Sequence, residues 1–128
     1  MISHLDHLVL TVSDIQKSID FYISVLGMTE VTFGENRKAL RFGNQKINLH
    51  QIGSEIEPCA NSPKPGSSDL CFISKIPVQE FIQHLKNNNI NIIDGPVERT
   101  GAVYRLLSVY FRDPDKNLIE VATKLKGG

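Results

Sequence analysis

A chain of 128 residues with 14 Lys and Arg against 14 Asp and Glu is long enough to bury a core without staples, and too evenly charged to offer a nucleic-acid face. Trp is absent and aromatics are few, three Tyr and six Phe, which argues against a stacking platform for bases or sugars. No apolar run spans a bilayer, no charged-then-apolar leader opens the sequence, and two cysteines, Cys59 and Cys71, make no disulfide framework, so the expectation is a reduced, cytoplasmic protein with neither nucleic acid nor membrane as partner.

The first strand is expected over residues 4–12, where His4-Leu5-Asp6-His7-Leu8-Val9-Leu10-Thr11-Val12 is rich in β-formers. Ser13-Asp14 then offers an N-cap, and Ile15, Ile19, Tyr22, Ile23 and Leu26 recur at helical spacing until Gly27 stops the helix. Three short strands follow at 29–33, 38–42 and 46–51, separated by turns at Gly34-Glu35-Asn36 and Gly43-Asn44. Residues 53–67 carry Pro58, Pro63, Pro65 and Gly66 with little periodicity, and read as a linker or lid-like loop.

A strand is expected again over 69–74. Val78, Phe81, Ile82 and Leu85 then mark an amphipathic helix that ends at Asn87-Asn88-Asn89. Strands are expected at 90–93, 104–111 and 118–123, with Gly95-Pro96-Val97-Glu98-Arg99-Thr100-Gly101 as a flexible approach. Between the last two strands, Asp113-Pro114-Asp115-Lys116 has the chemistry of a tight turn. Inside the final apolar strand stands Glu120. A carboxylate there must be paired, hydrogen-bonded or bound to a metal.

Each half thus reads β-α-β-β-β, an internal repeat of about sixty to seventy residues. Ile47-Asn48-Leu49 lies over Ile119-Glu120-Val121, and His7-Leu8-Val9-Leu10 lies over Asp69-Leu70-Cys71-Phe72. Four equivalent points therefore carry polar residues within apolar strands: His7, Asn48, Asp69 and Glu120.

The residues His7-Leu8-Val9-Leu10-Thr11-Val12-Ser13-Asp14, Ser18-Ile19-Asp20-Phe21-Tyr22, Leu26-Gly27-Met28, Phe111-Arg112-Asp113-Pro114-Asp115 and Ile119-Glu120 resemble the vicinal-oxygen-chelate superfamily of glyoxalase I, fosfomycin- and bleomycin-resistance proteins and extradiol dioxygenases. Arg37-Lys38-Ala39-Leu40, Lys46-Ile47-Asn48-Leu49-His50 and Tyr110-Phe111-Arg112-Asp113-Pro114 are similar to the branch of glyoxalase-domain-containing protein 5. The resemblance implies an α+β domain over 1–128, with tandem βαβββ modules 1–52 and 68–125 joined by loop 53–67. The modules would form a curled, mostly antiparallel sheet around a cleft that holds one divalent metal ion, Zn, Ni, Mn or Fe.

By resemblance, His7 is the first metal ligand and Glu120 the last, with Glu120 also moving protons. The alternatives are a satisfied core or rim histidine for His7, and for Glu120 an ion pair with Arg105 or Arg112. Glyoxalase I has Glu where Asn48 stands and His where Asp69 stands. Asp69 can still bind metal through oxygen, or can cap a turn after Gly66-Ser67-Ser68. His50 shares a strand face with Asn48 and could replace the missing ligand and assist catalysis, or sit on the solvent side at a strand end. His4 and His84 read as bystanders, Cys71 as a small buried hydrophobe, and Cys59 as an unactivated thiol.

The arginine usual in the first strand of glyoxalase I is replaced by Thr11, leaving Arg37, Lys38, Arg41, Arg99 and Arg105 as anion contacts or solvated charges. The expected partner is a small molecule with vicinal oxygens, including a thiol conjugate, bound by a homodimer. Lactoylglutathione lyase-like chemistry is expected first. Thiol transfer of the fosfomycin-resistance type, dioxygenase chemistry and sequestration without turnover, as in bleomycin resistance, are the alternatives.

Overall fold

The computed structural model describes residues 1–125, which form two compact units, one ending at Ser67 and the other beginning at Ser68. The first unit runs β1 (His7–Val12), α1 (Ile15–Ser24), β2 (Thr29–Phe33), β3 (Arg37–Phe42) and β4 (Gln45–Gln51). The second runs β5 (Asp69–Ile73), α2 (Val78–Asn87), β6 (Asp94–Thr100), β7 (Arg105–Arg112) and β8 (Leu118–Lys124). Each is an α+β module with a four-stranded mixed sheet, ordered β1-β4-β3-β2 in one and β5-β8-β7-β6 in the other. The first and last strands of each module pair in parallel, and the remaining pairs are antiparallel.

Local chemistry explains the elements. The Asp14 carboxylate accepts from the Lys17 amide at 3.1 Å and so caps α1. Ile19 and Tyr22 bury the apolar stripe of α1, as Val78, Phe81 and Leu85 do for α2. Against them lie the core faces of the strands: Leu10, Val12, Leu40, Ile47 and Leu49 in one unit, and Val109, Phe111, Ile119 and Val121 in the other.

Between β7 and β8, Asp113 Oδ1 accepts from the amides of Asp115 and Asn117, both at 2.9 Å. Lys116 takes a left-handed conformation at φ 68°. Asn117 then donates to Asp113 Oδ2 at 2.8 Å and accepts from the Ser68 amide at 2.8 Å, tying this turn to the start of β5. That buried knot sets the register of three strands around Glu120.

Two expectations change. The first strand begins at His7, so His4 lies outside it, exposed and hydrogen-bonded to Ser3. The strand expected at 90–93 is instead β6, drawn from the stretch read as flexible. As the edge strand, β6 needs ladder bonds on one side only, so Pro96 is tolerated, and a register shift between Asp94 and Val97 accommodates Gly95 at φ 98°. No described helix is long and apolar enough to cross a membrane.

Candidate functional site

Strand register decides which side chains share a face. In the second unit Cys71 pairs with Glu120 across β5 and β8, and Glu120 pairs with Tyr110 across β8 and β7. Two positions on, Ala122 pairs with Ser108. All lie on the face opposite the core residues Ile119 and Val121, because side chains alternate along a strand.

Glu120 is half-buried there, and the fully buried Ser108 donates its hydroxyl to Glu120 Oε2 at 2.6 Å. The Cys71 thiol and the Tyr110 hydroxyl stand opposite Glu120 on the neighbouring strands and feel its charge. Desolvation in the crowded face and the Glu120 charge push the Cys71 thiol up to about 11. Burial raises the Tyr110 hydroxyl too, while Arg99, donating to its oxygen at 3.0 Å, opposes the shift.

The arginines that might have paired with Glu120 are engaged elsewhere: Arg105 with Glu98, and Arg112 with the Lys116 carbonyl at 3.3 Å. Glu120 is therefore a carboxylate held by the Ser108 hydroxyl, with no ion pair to a Lys, Arg or His among the described residues. Cys71, expected as a buried hydrophobe, is exposed, because the parallel register turns it toward Glu120 and away from the core. Glu120 and Cys71 border a pocket of about 430 Å³ closed by the turn around Val103.

In the first unit His7 is exposed, its Nδ1 2.8 Å from Asp6 Oδ1, a bond that lowers the Asp6 carboxyl. His7 pairs with Lys46, Val9 with Asn48 and Thr11 with His50. Asn48 thus lies two positions from His7 across the parallel pair, just as Glu120 lies two positions from Asp69 in the second unit. The repeat read from the sequence is carried into the sheets at all four points. His50 lies four positions from His7, about 13 Å along the strands. The register therefore does not bring the two imidazoles of one unit to a single ion.

His50 is nonetheless no solvent-side residue. It is 5% exposed, and neither ring nitrogen has a hydrogen-bond partner; the nearby Asn48 Oδ1, on the same face, also lacks one. Burial, then the charge of Arg37, lower the basicity of His50, with Glu55 pulling the other way. Arg37 itself lies over the Phe33 ring at 4.8 Å. Of the other cations considered, Lys38 pairs with Glu30 at 3.3 Å, Arg99 with Asp94 at 3.4 Å and Arg105 with Glu98.

Among the described residues, no three His, Cys, Asp or Glu side chains gather into a metal-holding group. The chemistry of the individual donors does suit a divalent cation. Asp69 is exposed on the Glu120 face, and Glu120 is oriented by the Ser108 hydroxyl in the way a metal-binding carboxylate commonly is. Ser108, Tyr110 and Cys71 escaped the sequence reading. The signal was there in part, since Ser108 and Tyr110 alternate with the apolar Leu107, Val109 and Phe111, but their meeting with Cys71 depends on strand register.

The profile of the Glyoxalase/Bleomycin resistance protein/Dioxygenase superfamily matches residues 4–121. Virulence protein STM3117 of Salmonella typhimurium is 56% identical over 122 residues, 95% of this chain and 85% of its own. Its crystal structure superposes with a TM-score of 0.96 at 54% identity, covering 98% of this chain and 99% of that one. Metallothiol transferase FosB of Staphylococcus saprophyticus is 31% identical over 124 residues, 96% of this chain and 78% of its own. A lactoylglutathione lyase from Agrobacterium tumefaciens shares the fold, with a TM-score of 0.73 at 23% identity over 99% of this chain and 98% of that one.

Proposed function

The chain belongs to the glyoxalase/bleomycin resistance protein/dioxygenase superfamily, and from that premise we propose a divalent-metal-dependent enzyme of lactoylglutathione lyase type, acting on a small substrate with two neighbouring oxygens. The observation that carries the proposal is Glu120, a carboxylate set in a sheet beside a pocket, held by the Ser108 hydroxyl and paired with no Lys, Arg or His among the described residues.

His7, Asp69 and Glu120 are the residues we assign to the metal. One imidazole with two carboxylates favours Mn or Fe over softer ions and also admits Zn or Ni. The ion would polarise two neighbouring substrate oxygens and offset negative charge developing on them. Glu120 takes a proton from one substrate carbon and returns it to the next, a shift that leaves the substrate's overall oxidation state unchanged. Ser108 fixes the carboxylate's rotamer for that task. The working form we take to be a cytoplasmic homodimer of this two-module domain, because half-sheet modules can pair within one chain or across two.

A second reading is thiol addition to an epoxide, favoured by the FosB relative, whose name describes a metal-dependent thiol transfer. Both are tested by offering the metal-loaded protein a thiol adduct of a 2-oxoaldehyde, and separately an epoxide with a thiol. Turnover of either, falling at least about a hundredfold in Glu120→Gln, supports an enzyme. Silence in both assays, with the substrates still bound, would replace it with a sequestering protein of the bleomycin-resistance kind.

A further inference from the structure

The pocket beside Glu120 has a chemical direction. Along β8, Glu120, Ala122 and Lys124 share one face, which places the carboxylate and the ammonium about 13 Å apart along the strand. Between them the lining is apolar: Ile73 pairs with Ala122, Leu106 pairs with Lys124, and Val103 and Tyr104 come from the closing turn.

Three of these side chains are open to water, Ile73 at 50%, Val103 at 79% and Tyr104 at 43%. Scattered exposed apolar residues need no explanation, but a group of them lining one pocket marks a binding surface. The turn that carries them is tightly built. Gly101 donates to the Tyr104 carbonyl at 2.8 Å, and a Cβ on Gly101 would stand 2.6 Å from that oxygen and 3.0 Å from Leu106. Lys124 lies over the Tyr104 ring at 4.4 Å, which holds its ammonium at the pocket rim, and it has no acidic partner among the described residues.

We propose that this pocket binds a small molecule with an apolar body and an anionic end group, the anion at Lys124 and the reacting end at Glu120. The proposal rests on the reading of Glu120 as the reacting end. The volume of about 430 Å³ is roughly fourteen times that of a water in the liquid and lies at the small end of ligand pockets. One cation against several apolar side chains suits an alkyl or aryl chain with a single carboxylate or phosphate. It does not suit a polyanion. The substrate class that follows is a short apolar acid whose vicinal oxygens sit at the end opposite its anion.

Calorimetry with butanoate, hexanoate, octanoate, hexyl phosphate and hexanol, on metal-free and metal-loaded full-length protein, tests this. Affinity is expected to rise about two- to fourfold per methylene until the pocket fills. Hexanol should bind about tenfold more weakly than hexanoate, a gap that Lys124→Gln closes without altering hexanol. Val103→Asp should weaken every member at least tenfold, and both positions are exposed, so the fold tolerates the changes. Hexanoate and hexyl phosphate compared directly tell which anion is preferred. An affinity independent of chain length, or a Lys124→Gln variant that binds hexanoate as the wild type does, would overturn the proposal. Chain-length dependence in protein that takes up no metal would uphold the pocket while removing the metal reading, so the two fail separately.

Discussion

Removing one hydroxyl tests whether Glu120 is held for a purpose. Ser108 is completely buried, and its Oγ donates to Glu120 Oε2 at 2.6 Å, the length usual for a hydroxyl bonded to a carboxylate. Hydrogen bonds to charged groups contribute about 1.5–3 kcal/mol. Glu120 is only half-buried, so water recovers part of the loss and the lower half of that range applies, about 1.5–2 kcal/mol. For a chain of this length, about 4 °C in Tm corresponds to each kcal/mol, so Ser108→Ala should melt about 6–8 °C lower. Its divalent-metal affinity should fall about 10- to 100-fold, the usual effect of losing a group that orients a metal-binding side chain. Ser108→Thr keeps the hydroxyl on a residue suited to strands and should retain most of both properties. Calorimetric melting and metal titration of the two variants, repeated in a Glu120→Gln background, give the coupling directly. If Ser108→Ala costs as much stability in that background as in the wild type, the hydroxyl does not act through the carboxylate and the reasoning is wrong.

Three other outcomes follow from the same faces. Gly95→Ala would place a Cβ 2.4 Å from the Ser108 carbonyl at φ 98°, and should cost about 2–4 kcal/mol in chemical denaturation; a loss under 0.5 kcal/mol would show that β6 yields freely. With its thiol near 11, Cys71 is ~0.1% thiolate at pH 8, so in a Cys59→Ser background alkylation should be slow and should speed up in Glu120→Gln; equal rates would deny the thiol–carboxylate contact. His50 has its basicity lowered by burial and by Arg37, so the unfolded chain takes a proton near pH 6.5 before the folded one does. Stability present above that pH should decline as pH falls from 6.5 toward 5, and His50→Gln should flatten the slope; an unchanged slope would refute this.

Much of the fold could be read locally. The Asp14 cap, the Ile19 and Tyr22 stripe and the Asp113–Asn117 turn are short-range devices whose chemistry is visible in consecutive residues. The module repeat was visible too, because both copies keep a polar residue at the same two strand positions. What escaped depends on contacts distant in sequence. β6 looks like a loop because Gly95 and Pro96 are tolerated only where a sheet edge leaves one side unpaired. Cys71 looks like core because its neighbours Leu70 and Phe72 are apolar, and only the parallel register with β8 turns it toward Glu120. The four-position offset of His50 from His7 follows from the β1–β4 pairing and not from any local pattern.

The central proposal is that His7, Asp69 and Glu120 hold a divalent ion. Titrating Mn²⁺, Zn²⁺ and Ni²⁺ into stripped wild type and into His7→Ala, Asp69→Ala, Glu120→Gln and His50→Ala, by isothermal calorimetry, tests it directly. The account predicts about one ion per chain in the wild type and in His50→Ala, with affinity falling at least tenfold in each of the other three. Loss of the ion in His50→Ala with retention in Asp69→Ala, or a wild type that binds none of the three metals, would contradict it.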